Sequence, residues 1–319
     1  MSLPLETTNC AVCGADDAEA VASGSDYVFH GSSDVLTAVG CRECGHIYLN
    51  PRPTPAAIGV MYPPSYPSFS GTFSSRRTLF ARLKDRVMLS RLVDLLDKIP
   101  SGGVVLDLGC GDGALLLALR RRRPDLELAG LDWSFSAEQR QRLARADIRL
   151  WESRLEGADL PNDHFDLIVL NQLIEHLWEP REAMKAVWDA LKPGGRVAIE
   201  TPNIDGYDRR WFRAGTWGGY YFPRHLNLFS GSGLQRFLES VGYQIERRRN
   251  LPAPMIWAYS LQAEAQARVP RMRWTGLGHN PFTLAGFALI DVIAMAIGLT
   301  TSNQKVIAIR RESQLRHPL

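Results

Sequence analysis

The chain has 319 residues, 45% of them hydrophobic and 22% charged, with a formal net charge of +3 at pH 7. That apolar content supports a buried core and excludes global disorder, and the length allows one large domain with a smaller companion. So slight a positive balance does not by itself imply a nucleic-acid partner.

The opening MSLPLETTNC lacks a basic start and an apolar run, so no signal peptide is expected and the expected address is cytoplasmic. Two cysteine pairs follow, Cys10 with Cys13 and Cys41 with Cys44, each trailed by a glycine (Gly14, Gly45). In a reducing compartment such pairs bind metal or do redox work, and no βαβ pattern surrounds either one to suggest a thioredoxin-like motif. Two converging thiolate turns suit a tetrahedral zinc whose four positions are all filled by sulfur, which makes the metal structural. The 27 residues between the pairs exceed compact-finger spacing, so short strands are expected to fill them. Reduced, unliganded cysteines are the alternative. The expected zinc-ribbon module is 1–52.

Residues 53–75 are rich in Pro, Ser and Tyr and read as an extended linker. A helix near Arg76 to Asp97 follows, with Leu79, Leu83 and Val87 at helical spacing. Strands are then expected at Val104–Leu108, Glu127–Leu131, Ile148–Trp151, Phe165–Leu170 and Arg196–Glu200, and helices at Ala114–Arg123, Ala137–Ala146, Arg181–Leu191 and Gly233–Val241, the last stopped by Gly242. This alternation predicts an α/β fold, a mostly parallel sheet covered on both faces. YQIERRRN reads as a further strand, and QKVIAIRR as the last. Between them 251–303 reads as an apolar helical insertion, with 76–250 and 304–312 as the core. Pro281 to Leu299 is long enough to consider a membrane span, but Asp291 makes a buried or interfacial helix the preferred reading.

The first core strand runs into Gly109, Gly111 and Gly113, where an open sheet binds its ligand. Gly109, Gly111 and Ala114 also fit a dinucleotide fingerprint, so the glycines alone do not decide. A triphosphate is excluded by the lack of a following lysine, and Asp107 and Asp112 disfavour a pyrophosphate while suiting a cation. Asp132 ends the second strand where ribose hydroxyls are accepted, and Trp133 beside it can cover an adenine face.

The stretches VLDLGCGDG, LAGLDWS, FDLIVLNQLIEHL and LKPGGRVAIETPN resemble, in order and spacing, the motifs of class I S-adenosylmethionine-dependent methyltransferases. With the cysteine module and MYPPSYPSF, the layout is similar to bacterial small-molecule methyltransferases bearing an N-terminal zinc ribbon, among them sugar C-methyltransferases. The resemblance implies a Rossmann-like seven-stranded sheet with its last strand antiparallel and S-adenosylmethionine as methyl donor. It implies that Asp107, Gly109, Cys110, Gly111 and Gly113 hold the methionine moiety, Asp132 the ribose and Trp133 the adenine. Arg154 and Leu155 would border the adenine edge, with Asn171, Gln172 and His176 on the sulfonium side. It also implies His225 as the catalytic base, oriented by Tyr221, with Arg224 where the sugar enzymes carry Glu. Tyr62, Tyr66, Tyr220 and Arg224 are the expected substrate contacts. The sugar enzymes' large C-terminal domain has no counterpart here, which argues against a nucleotide-sugar acceptor. A divalent metal at Glu175 and His176 is disfavoured, because Asn171 and Leu173 stand where further ligands would help.

The expected function is methyl transfer to the oxygen or carbon of a small molecule, hydrophobic or lipid-linked if the insertion, with Trp257, Trp274, Phe282 and Phe287, covers the site. Peripheral membrane contact is a possible partner mode. RNA methylation, with the ribbon and the runs Arg120–Arg123 and Arg247–Arg249 holding RNA, is the alternative, and a non-catalytic binding module is a third reading.

Overall fold

The computed structural model describes residues 2–63, 86, 88–212, 215–269 and 276–311. Short strands do fill the space between the cysteine pairs. β1 (Leu5–Glu6) pairs with β5 (Arg52–Pro53), while β2 (Ala18–Gly24), β3 (Leu36–Cys41) and β4 (Ile47–Leu49) form an antiparallel sheet. The fourth strand of that sheet is β11 (Asn227–Leu228), which registers Asn227 on Tyr48 and Leu228 on Ile47. The ribbon is therefore completed by the core, and a boundary at residue 52 does not isolate it. A single turn, α1 (Ile58–Met61), leads away from it. Residues 64–75 of the linker, Tyr66 among them, and half of the expected 76–97 helix lie outside the described residues; near its end stands α2 (Val93–Leu96).

The main sheet comprises β6 (Val104–Leu108), β7 (Glu127–Asp132), β8 (Ile148–Glu152), β9 (Phe165–Asn171), β10 (Leu191–Pro202), β12 (Tyr243–Leu251) and β13 (Asn303–Arg310). Their order is β12-β13-β10-β9-β6-β7-β8, with β13 antiparallel to both neighbours. Every residue of β6 is buried, as a strand sandwiched between helical layers must be. Leu106 and Leu108 face one layer, with Met184 and Val187 of α5 (Pro180–Ala190) and Leu234 and Leu238 of α6 (Gly231–Val241). Val105 faces the other, with Leu115, Leu116 and Leu119 of α3 (Ala114–Arg122) and Leu143 of α4 (Ala137–Arg145). Gly242 ends α6 at φ 116°, the left-handed stop that its position after Val241 predicts. Strand order reverses at β6, so the loop from Gly109 to Gly113 lies at the switch point.

The insertion forms α7 (Pro254–Arg268) and α8 (Pro281–Ala296). Asp291 is buried but satisfied, accepting from Ala253 N at 2.7 Å, Trp257 Nε1 at 3.0 Å and Tyr207 Oη at 3.2 Å. Among the described residues no helix is long and apolar enough to cross a membrane. Within the insertion Phe287 stacks on Trp257, and neither lines the cleft described below. Trp274 lies outside the described residues.

A fully buried ion pair joins ribbon to core. Arg224 donates from Nη1 and Nη2 to Asp26 Oδ1 and Oδ2 at 3.0 and 2.9 Å, with both side chains essentially inaccessible to water. Asp26 also accepts from Val28 N, Phe29 N and Gly31 N. Burial alone would raise its pKa; the hydrogen bonds and charge of Arg224 outweigh that and hold it below the ordinary value. Removing one partner strands the other charge. Asp26→Ala is expected to cost about 3–5 kcal/mol in urea denaturation, and the apolar pair Asp26→Leu with Arg224→Met to recover most of it. Because the folded-state pKa of Asp26 is depressed, its contribution is present above the unfolded value of about 3.9 and fades as pH falls further.

Candidate functional site

Three glycines in left-handed conformations shape the loop after β6: Gly109 at φ 69°, Gly111 at 54° and Gly113 at 73°. A Cβ on Gly113 would lie 2.3 Å from Leu143 Cδ2, so this bend admits no side chain. Behind the loop stands Asp107, buried, with no hydrogen bond to its carboxylate among the described residues. Burial first, then the carboxylates of Asp132 and Asp112, push its pKa up to about 8. A buried carboxyl without a partner is stabilised in its charged form by a cation beside it. Asp132 accepts from Gly111 N and Trp133 N, each at 2.8 Å, which fixes its carboxylate at the end of β7. Burial still raises its pKa, although those N–H groups oppose the rise.

The cleft in front of this loop is lined by Gly109, Asp132, Trp133, Arg154, Leu155, Gln172, His176 and Tyr62, all expected from the sequence. Ile58, Leu173, Leu177 and Trp178 join them and were not expected; nothing in their local pattern distinguishes them from core residues. Trp133 is half-exposed, and the Tyr62 ring lies 6.4 Å from it. Arg154 lies 4.8 Å over the Trp178 ring, which anchors that edge. Gln172 holds φ 51° and donates to Asn303 Oδ1 at 3.2 Å. Asn171 ends β9 and is not among the lining residues. Cys110 turns its thiol into the core against Gly130, where an added Cβ would lie 2.7 Å from the sulfur; only its backbone belongs to the loop.

Beyond the cleft two histidines meet edge to face at 4.8 Å. His225 Nδ1 lies 2.8 Å from Gly219 O, so it donates there and leaves Nε2 with a lone pair. His176 Nδ1 lies 3.0 Å from both Arg224 O and Tyr62 Oη. Burial lowers the pKa of His176 to about 4 and that of His225 well below its ordinary value, so both are neutral near pH 7. Glu175 is fully buried, and burial pushes it up to about 8. Its Oε2 accepts from Thr201 Oγ1 at 2.8 Å, while Oε1 has no partner. Ligand atoms of Glu175, His176 and His225 lie within 4.8 Å of one another. The sequence hides this grouping, because His225 arrives from a distant loop. Tyr221, at φ 39°, sets its ring 5.0 Å from His225 and stacks on Tyr259 at 5.1 Å.

Two expected substrate contacts need correction. Arg224 is withdrawn from any ligand by its pairing with Asp26. Tyr220 is buried between Trp217 and Phe222, and its hydroxyl accepts from Arg209, away from the cleft. Both face the ribbon seam, which a sequence without its fold does not reveal.

The four ribbon sulfurs also converge within 4.8 Å, with Cys10 to Cys44 at 3.6 Å and Cys13 to Cys41 at 3.5 Å. Gly14 and Gly45, at φ 82° and 73°, close the two turns by donating to Cys10 O and Cys41 O. A tetrahedral ion with metal–sulfur bonds of about 2.3 Å sets its sulfurs roughly 3.8 Å apart, which this cluster matches.

Residues 77–247 match the family model described as a methyltransferase domain. A probable S-adenosylmethionine-dependent methyltransferase of Mycolicibacterium smegmatis is 33% identical over 150 residues, 46% of this chain and 54% of that protein. A trans-aconitate 2-methyltransferase of Variovorax paradoxus is 30% identical over 176 residues, 54% of this chain and 60% of that one. The chain thus spans about half the length of the curated relatives it matches. Phosphoethanolamine N-methyltransferase 2 of Haemonchus contortus, solved with S-adenosyl-L-methionine, shares the fold with a TM-score of 0.51 and 14% identity, covering 92% of this chain and 69% of that one.

Because Asp107 is protonated below about pH 8, a cationic ligand must displace that proton. Affinity for S-adenosylmethionine, measured by calorimetry, is expected to rise between pH 6 and 8 with proton release, by up to about tenfold per pH unit. Asp107→Asn should flatten this dependence and weaken binding at least about tenfold.

Proposed function

The chain belongs to the methyltransferase-domain family, and from that premise we propose that it transfers a methyl group from S-adenosylmethionine to a small-molecule acceptor. One observation carries this reading above the rest: a buried, unpaired Asp107 stands behind three left-handed glycines at the sheet's switch point. Asp107 would hold the ammonium end of the donor, Asp132 its ribose, and Trp133 with Leu155 its base. When bound, the donor supplies an electrophilic methyl group on a positively charged sulfur. Tyr62, Gln172 and His176 form the cleft wall toward the acceptor side.

His225 is the proposed general base. Gly219 O fixes its tautomer, so Nε2 takes the acceptor's proton as the new bond to the methyl carbon forms and the carbon–sulfur bond breaks. Tyr221 orients the ring. The stacked Tyr221 and Tyr259 lead away from His225 as an aromatic lining, which suits a hydrophobic acceptor. RNA is a poorer fit, because four of the seven arginines in the basic runs bond within the fold. Arg120 donates to Ala146 O and Leu126 O, Arg123 to Leu96 O and Asp125, Arg247 pairs with Asp94, and Arg249 donates to Arg91 O. The four ribbon cysteines are proposed to hold a structural zinc.

Incubation of cell extracts with labelled donor, followed by identification of the labelled product, tests the activity; failure to bind either the donor or its demethylated product would overturn it. His225→Ala is expected to leave donor affinity within about threefold and to lower turnover at least about tenfold. Since its pKa is well depressed, His225 stays unprotonated at neutrality, and turnover should lack an acidic limb near pH 6.5. Metal analysis should find one zinc per chain, and chelation should lower the melting temperature and turnover together.

A further inference from the structure

Gln172 is the first residue beyond β9, and its backbone is left-handed at φ 51°, a strained conformation for a residue other than glycine. Its N–H donates to Glu200 O at 2.7 Å, which holds the bend in place. The side chain is exposed on the cleft that Gly109, Leu173 and His176 also line. Its Nε2 donates to Asn303 Oδ1 at 3.2 Å. Among the described residues nothing donates to its Oε1.

Bonds further back fix which end of this carboxamide faces the cleft. Asn303 is buried at the start of β13 and is bonded on both sides. Its Nδ2 donates to Glu200 Oε1 at 2.9 Å, and Glu200 is ion-paired with Arg91, so that oxygen only accepts. Its Oδ1 accepts at 3.1 Å from the main-chain N–H of Gln304, a group that only donates. A flipped Asn303 would set donor against donor and acceptor against acceptor. Asn303 thus offers Gln172 an oxygen, and Gln172 must turn its amino group toward it. The carbonyl oxygen is left for the cleft.

Strand order says what that oxygen meets. Along the carboxyl ends of β7, β6 and β9 the cleft presents Asp132, then Gly109, then Gln172, with Asp107 behind the glycine. A sulfonium carries three carbon substituents. With the ribose at Asp132 and the ammonium at Asp107, two of them lead toward β7 and β6. The third, the methyl, is turned to the remaining wall, where Gln172, Leu173 and His176 stand. A carbonyl oxygen there favours a positive sulfur and its polarised methyl group. The demethylated product has neither, and is otherwise the same molecule. We infer that Arg91, Glu200 and Asn303 position the Gln172 carboxamide with its oxygen toward the sulfonium, and that this oxygen makes the cleft prefer the charged donor to the neutral product. The inference rests on the proposed methyl transfer and adds to it a means of discriminating fresh donor from spent donor.

The test is calorimetry of the full chain with S-adenosylmethionine and, separately, S-adenosylhomocysteine. Gln172→Met keeps the length of an exposed side chain and removes its carbonyl. It is expected to weaken donor binding at least about fivefold and product binding less than about twofold. Asn303→Ala frees the carboxamide to turn, and should lower the donor-to-product affinity ratio at least about threefold. General damage to the cleft weakens both ligands alike, since they share base, ribose and amino-acid end, so the ratio isolates the sulfur. Equal weakening of both ligands by Gln172→Met, or no change in either, would overturn the inference, as would a wild-type ratio in a folded Asn303→Ala chain. Failure of the wild-type chain to bind either ligand would instead overturn the methyl-transfer reading itself, so the two failures are distinguishable.

Discussion

The pairing of Asp26 with Arg224 is the constraint on which the arrangement of the site rests. A guanidinium and a carboxylate removed from water are costly unless paired, and here the match is bidentate. The consequence is geometric. Arg224 immediately precedes His225, and its carbonyl lies 3.0 Å from His176 Nδ1, so the loop that presents His225, and that touches His176, is fixed by a residue of the ribbon. Strand β11, two residues further on, is paired into the ribbon sheet. The N-terminal module thus holds the two-histidine side of the cleft in position while contributing no residue of 1–52 to its lining.

The donor side is governed by a different economy. Asp107 and Asp132 both sit in low-dielectric surroundings and both have raised pKa values, yet they differ in partners. Backbone N–H groups tether Asp132, whereas Asp107 awaits a charge from outside. A site with one anchored and one uncompensated carboxyl is pre-shaped for a cationic ligand and leaves its free state strained electrostatically. Across the cleft burial holds His176 and His225 as neutral imidazoles, which can accept a proton, and Glu175 as a protonated acid, which cannot. The two ends of the site are therefore tuned for different tasks by the same agent, loss of water.

Much of this was legible in the residues. The strands from Val104 to Glu200 and the helices between them follow from apolar periodicity, because a sheet covered on both faces writes its burial into the sequence. The cysteine spacing announced a four-sulfur cluster, and the glycine run with Asp107 and Asp132 announced an acidic bend at the sheet's switch point. Arg224 and Tyr220 were misread as substrate contacts, since an arginine or tyrosine beside a candidate base looks the same whether it turns to ligand or to core. Glu175 was read as a weak metal ligand for want of neighbours, and its neighbour His225 lay in another loop.

By itself the sequence determined the sheet, its switch point, the acidic glycine bend and the two thiolate turns, because each is set by local spacing or by a backbone conformation only glycine tolerates. Tertiary structure alone decided that Asp26 answers Arg224, that β11 closes the ribbon sheet, that Glu175, His176 and His225 share one space, and that α8 leaves half its apolar surface open. Those outcomes depend on which distant segments end up facing each other. Pairing across such separations is a property of packing, which no local pattern records.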